Sequence, residues 1–412
     1  MDDTFIIPKL RKDISIEIYT ENNEELAFLN DPLGYAPHPI ALPSSFLKVL
    51  DLIDGDMNLQ ELLKSIKAHL KLSIEPEILV EILKELNDRC FLESPNYFFI
   101  KFQSDYYKSI PVRPPVCAGS SYPYDQTELE MKLGKILSSV KENSVEPGAK
   151  FIIAPHIDFS IGRISHEAYA AAYQSIRDSD AELFIIFGTS HHNSSDIFML
   201  SEKDFRTPLG ITKTDRDIIE DLKAAMPGQI TVDESSHRYE HSIELQLVLI
   251  QYLFKDRDFK ILPILTGSFH NFLLKKKQPN TNEKFFDFMT NLLKSIKERG
   301  KKTLFIASAD FAHIGRKFQD NFDAEPVLSQ LKLEDENLIN HLISGNSESF
   351  FESIAEANDK RKICGLPPIY SLLESQRTDN GQMPFKGKLL KYNQWNEIET
   401  RSAVSFASIA FY

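Results

Sequence analysis

Short apolar runs that end in histidine recur along this chain. Phe151-Ile152-Ile153-Ala154 leads through Pro155 to His156, and Leu183-Phe184-Ile185-Ile186 leads through Gly188-Thr189-Ser190 to His191 and His192. Leu304-Phe305-Ile306-Ala307 leads through Ser308-Ala309-Asp310 to His313. Runs this short and this continuously apolar read as strands buried on both faces, as in a parallel sheet covered by helices. Such sheets bind ligands beyond the C-terminal ends of their strands, which is where these imidazoles fall.

The surrounding pattern agrees. Helical periodicity over 126–145, 165–176, 214–225, 242–254, 282–298, 326–344 and 347–357 alternates with strand-like runs over 150–154, 182–187, 259–265, 303–307, 386–392 and 402–411. Alternating strands and helices predict an α/β domain with a mainly parallel sheet and helices on both faces. Lys275–Asn282, with three consecutive lysines and then Pro279, reads as a solvated loop.

Residues 1–104 read as a separate small domain. A strand-like start at 14–19 precedes helical patterns near 43–53, 59–70 and 75–86, and a hairpin is expected from Cys90-Phe91-Leu92 and Tyr97–Lys101 around Ser94-Pro95-Asn96. Helices closed by a hairpin make a winged-helix plan. Pro111-Val112-Arg113-Pro114-Pro115 marks a linker, placed at 105–115, and 116–412 forms the α/β domain.

Charge limits the partners. The net charge is −13, and residues 1–104 carry 18 acidic against 10 basic residues, which argues against a nucleic-acid role for want of basic surface. The better expectation for the small domain is docking of a peptide or protein. No apolar run approaches the roughly 18 residues of a membrane span. The acidic start Met1-Asp2-Asp3-Thr4-Phe5 lacks a signal-peptide core, which sets a cytoplasmic expectation. Cys90, Cys117 and Cys364 are far apart, without disulfide or zinc-cluster spacing, and read as small buried residues.

Eight of the 11 histidines lie between His156 and His313. His156 follows a proline that ends its strand, and Asp158 stands nearby as an orienting partner. Adjacent residues diverge, so His191 and His192 divide into one ligand and one proton-handling neighbour. A helix beginning near Arg238 would place His241 and Glu244 on one face. Glu240 and Arg238 read as surface charge. Asp310 would orient a histidine or act as base, or cap a helix, and His313 would bind metal or move protons.

These motifs together resemble the Memo family, called AmmeMemoRadiSam system protein B in prokaryotes. The resemblance rests on Cys117–Pro123, Ala154-Pro155-His156, Gly188–His192, Arg206–Gly210, Glu240–Leu247, Ser308–His313 and Ile363-Cys364-Gly365, in the family's order over about 300 residues. It implies the α/β sandwich of class III extradiol ring-cleaving dioxygenases. It also implies metal ligands at His156 and His191, with Ala312 standing where animal relatives carry a cysteine. A third ligand is then expected from His241, Glu244 or His313, or a carboxylate from Glu244 or Asp310. The small domain, through Pro8-Lys9-Leu10-Arg11 and its helical plan, resembles PqqD-like peptide-binding winged helices.

The resulting expectation is a cleft that holds a transition metal, Fe(II) first with Cu or Zn as alternatives. His192, His241 and His313, aided by Asp310 and Glu244, would handle protons. If catalytic, it would oxidise a small molecule or modified peptide, with a radical S-adenosylmethionine protein as partner. The alternatives are a non-catalytic peptide- or protein-binding module using the same cleft, and a metal-dependent hydrolase.

Overall fold

The computed structural model describes residues 5–21, 24–36, 38–141, 144–192, 195–377 and 380–412. The acidic start at 1–4 and part of the helix expected over 126–145 lie outside these residues. The chain divides into two compact units, Met1–Ile110 and Pro111–Tyr412.

The first unit has an antiparallel sheet of β1 (Ser15–Glu21), β2 (Glu24–Asn30) and β3 (Ile40–Pro43), in that order. Helices Leu59–Ser65 and Pro76–Asp88 pack their leucines against it. Arg11 is buried and grips Asp31 with two 2.9 Å bonds while donating to the Cys90 carbonyl. Its guanidinium also lies over the Tyr97 ring, 4.6 Å from the centroid.

The expected closing hairpin is a correction. Tyr97–Lys101 lies inside a helix, Pro95–Ser109, opened by Ser94, whose hydroxyl accepts from the Tyr97 N–H, and by Pro95 in the first turn. Ser before Pro is a helix start, and the aromatic run behind it imitates a strand. The winged-helix plan therefore lacks its wing at that place. The stretch 105–115 is no slack connector either. It completes this helix and then forms β4 (Val112–Arg113).

In the second unit the remaining strands are β5 (Phe151–Ala154), β6 (Leu183–Thr189), β7 (Phe198–Leu200), β8 (Asp204–Thr207), β9 (Gly210–Thr214) and β10 (Thr231–Val232). They are followed by β11 (Lys260–Thr266), β12 (Thr303–Ser308), β13 (His313–Gly315), β14 (Gly387–Glu397) and β15 (Ser402–Phe411). The hydrogen-bonded order is β13-β15-β5-β12-β6-β11-β9-β8-β4, with β14 on β15 and β7 beside β11 and β10. Strands β5, β12, β6 and β11 are mutually parallel, and β15 runs antiparallel to β5.

Alternate residues of each central strand enter opposite cores. Ile153, Ile185, Leu262 and Phe305 face one, while Ile152, Ile186, Ile261 and Ile306 face the other. Helices cover both faces, which explains the unbroken apolar runs. The result is a mixed α/β fold, as expected from the sequence. Ala154 pairs with Ser308, and Phe187 with Ala307, so the chain leaves β5, β12 and β6 at one level. Helix Leu366–Ser375 was not foreseen. Pro367 and Pro368 disguise it, yet both occupy its first turn, where a missing N–H costs nothing.

Candidate metal centre

At that level three imidazoles gather. The His156 and His191 rings are 5.0 Å apart, His156 and His241 5.3 Å, and His191 and His241 4.7 Å. His156 is buried beyond Pro155. Its Nδ1 lies 3.0 Å from the Ser308 carbonyl oxygen, so Nδ1 carries the proton and Nε2 keeps its lone pair. Burial, reinforced by the charges of His191 and His241, holds His156 well below the usual imidazole range. The expected partner Asp158 is occupied elsewhere, accepting from Ser121 Oγ and the Ser160 N–H.

The Asp310 carboxylate accepts the His156 N–H at 3.0 Å, and its other oxygen lies 3.7 Å from His156 Nε2. Burial pushes Asp310 up to about 7, against the opposing His156 N–H bond. Asp310 thus holds the turn that delivers His156.

Cys364 is the residue that sequence reasoning missed. Its Sγ lies 3.3 Å from His156 Nε2, although 208 residues separate the two along the chain. The donor atoms of His156, His191 and Cys364 all lie within 4.8 Å of one another. Burial keeps the thiol protonated, so its S–H points at the Nε2 lone pair. The loop that carries it turns through left-handed φ at Asn358, Asp359 and Lys362. It is held by Arg361 on buried Asp335 at 2.9 Å and by Lys362 on Asp320 at 2.6 Å.

Gly365 lets this loop press on the end of β12, because a Cβ there would meet the Asp310 carbonyl oxygen at 2.3 Å and Ala309 Cβ at 2.8 Å. Gly365→Ala is therefore expected to destabilise the second unit by about 1–3 kcal/mol. Urea denaturation measures it, and an unchanged midpoint would refute the contact. Ala312, the position expected to have lost a ligand, packs instead with Ile314, Ala324, Leu331 and Ala403.

Glu240 was also misread as surface charge. It is buried at the turn before helix Ser242–Leu253 and accepts the His191 N–H at 2.8 Å and the Ser242 N–H at 2.9 Å. Its oxygens lie 3.1 Å from His191 Nδ1 and 3.2 Å from His241 Nδ1. Burial opposes charge on both members of the Glu240–His191 pair. Their mutual bond outweighs it, raising His191 and holding Glu240 well below the carboxylate range. Burial lowers His241 to about 4 despite Glu240 beside it. Gly188 admits the helix onto β6, since a Cβ would meet Ser242 Oγ at 2.7 Å.

The other expected residues fall outside the cluster. The helix begins at Ser242 rather than near Arg238, and Glu244 in its first turn is taken up by other partners. Glu244 accepts from Arg113 Nη1 at 2.5 Å, from the Val116 and Cys117 N–H groups and from the Tyr122 hydroxyl. It is a structural carboxylate, unavailable as a ligand. His313 turns its Nδ1 to the Phe311 carbonyl oxygen at 3.1 Å and lies edge-on to Phe318. His192 is exposed. Beside the cluster, a cavity of about 330 Å³ is lined by His191, Cys364, Phe269, Leu273, Leu366 and Lys362, among others.

Comparison with known proteins places this arrangement in context. The family described as "Memo-like protein" matches residues 113–410. A "MEMO1 family protein" of Aquifex aeolicus is 27% identical over 93% of this chain and 95% of its own length, so the likeness spans both units. One from Methanosarcina barkeri is 28% identical over 72% of this chain and 99% of its own length. One from Methanococcoides burtonii is 30% identical over 65% of this chain and 88% of its own. A solved structure titled "Crystal structure of uncharacterized protein JW3007 from Escherichia coli K12" aligns at TM-score 0.35 and 12% identity, covering 64% of this chain and 99% of that one. That likeness is too loose to carry an argument.

Proposed function

Because the chain belongs to the Memo-like protein family, we propose that His156, His191 and Cys364 hold a transition-metal ion at the mouth of a small-molecule cleft. One observation carries the reading. Two imidazoles whose Nδ1 atoms are engaged by Ser308 and Glu240 meet a thiol, and a ligand atom from each of the three lies within 4.8 Å of the others. Metal-binding histidines are oriented in this way through their second nitrogen.

Two nitrogens and a sulfur are a softer set than two histidines and a carboxylate. Softness favours copper or zinc, while Fe(II) is the choice that the dioxygenase resemblance implies. A bound ion would supply a redox or Lewis-acid centre, and would displace the Cys364 proton. The chain's own groups would do the rest. Asp310 and Ser308 fix His156, Glu240 fixes His191, and the cavity walls Phe269, Leu273 and Leu366 receive an apolar body.

The reaction proposed is metal-dependent oxidation of a small molecule or modified peptide, with a radical S-adenosylmethionine protein as the associated partner. A hydrolytic reading becomes the better one if zinc is the resident ion, since three protein ligands with one open position suit it.

The test is anaerobic titration with Fe(II), Cu(I) and Zn(II). At least one should bind tighter than micromolar, and His156→Ala with His191→Ala should weaken it by more than about 100-fold, beyond the cost of losing an outer partner. Binding no tighter than millimolar for all three, or no change in the double variant, would end the proposal.

A further inference from the structure

We infer that Gln246 is a positioning residue that ties together the turns carrying His156, His191 and His241, and so fixes how these imidazoles stand relative to one another. Its consequence for a metal rests on the metal-site reading, though its bonds do not. Gln246 lies early in helix Ser242–Leu253 and is fully buried. A buried amide needs a partner for each of its polar groups. Gln246 Nε2 donates to the Pro155 carbonyl oxygen and to Ser308 Oγ, each at 2.8 Å. The Tyr173 hydroxyl donates to Gln246 Oε1 at 2.8 Å.

The direction of every bond is settled by its protons. Ser308 has one hydroxyl proton and gives it to the Ser242 carbonyl oxygen at 2.6 Å. Its Oγ can then only accept from Gln246, which fixes the orientation of the amide. Ser242 in turn donates its own hydroxyl to the Thr189 carbonyl oxygen at 3.0 Å.

Each bond ends beside a histidine of the cluster. Pro155 precedes His156, and the Ser308 carbonyl oxygen holds His156 Nδ1. Ser242 follows His241, and Thr189 stands two residues before His191. Gln246 thus grips the ends of β5 and β12 directly, and through Ser308 and Ser242 it reaches the helix start and the end of β6. Glutamine suits this place because one atom must donate twice while its neighbour accepts. Methionine has the length but no proton to give, and leaves the Pro155 carbonyl oxygen without this donor.

Co(II) is the probe, added to the full chain. Gln246→Met should bind it roughly 10–100-fold more weakly, with altered ligand-field bands. Since losing a buried amide also weakens folding, Ser308→Ala is the second variant. It removes the hydroxyl that joins Gln246 to Ser242 and keeps the Ser308 carbonyl oxygen on His156. It should alter the bands and weaken binding in the same direction, by a smaller factor. Unchanged affinity and bands in Ser308→Ala, or in folded Gln246→Met, would overturn the inference.

A metal-free arm separates this role from the metal reading. In the folded variants the ring nitrogen-15 signals of His156, His191 and His241 should all move, as loosening of a shared anchor requires. A shift confined to His156 would also overturn the inference. If the unaltered protein binds no Co(II), the metal reading fails, while the three histidine signals still decide the role of Gln246.

Discussion

Arg113→Met is expected to cost the second unit roughly 3–5 kcal/mol, the penalty for stranding one member of a buried ion pair. The Arg113 and Glu244 side chains are 1% and 0% exposed. Glu244 remains charged below the usual carboxylate range only because Arg113 and its hydrogen bonds outweigh the burial that would raise it. Without the guanidinium, the carboxylate is left buried, and the His237 and Glu240 carbonyl oxygens lose a donor as well. The single tryptophan, Trp395, lies in β14, so its fluorescence in urea follows this unit alone. A loss below about 1 kcal/mol would class the pair with weak surface bridges and refute its structural role. Arg113→Met combined with Glu244→Gln should be less damaging than the sum of the single changes, because the stranded charge is gone.

Cys364→Ser is the second large effect. A hydroxyl at this position stays protonated and replaces the soft donor, so metal affinity should fall by more than about 100-fold while the unfolding midpoint stays near that of the unaltered protein. Placing Ala312→Cys in the same chain should restore nothing, because that side chain points into the cluster of Ile314, Ala324, Leu331 and Ala403. Rescue by Ala312→Cys would return the third ligand to where the animal resemblance put it. Undiminished binding by Cys364→Ser would remove the thiol from the site. Both are read from the same anaerobic titration.

The strands that carry the site were legible because each is a continuous apolar run, and burial on both faces requires that pattern. His156 and His191 were legible for the same reason, since each follows such a run directly. Glu240 was not. Beside Arg238 and Tyr239 it looks like the polar face of a helix, and only the turn before Ser242 swings it inward. The run Glu240-His241-Ser242 at a helix start carried a signal, because a helix that is otherwise core carries its polar first turn inward with it. The aromatic run after Pro95 misled in the opposite direction. Tyr and Phe fit a strand by propensity, and the Ser-Pro helix start carried more weight than the run behind it.

The sequence by itself determined the α/β alternation, the level at which histidines leave the sheet, and the net negative charge. These follow from local periodicity and composition. Only the tertiary structure decided that Cys364 meets His156, that Glu244 belongs to Arg113, and that Glu240 is buried against His191. The first of these depends on the insertion of β12 between β5 and β6 and on the close approach at Gly365, which bring together residues 208 positions apart, and the other two join residues 131 and 49 positions apart. No spacing along the chain encodes such a contact, because it arises from how the layers pack.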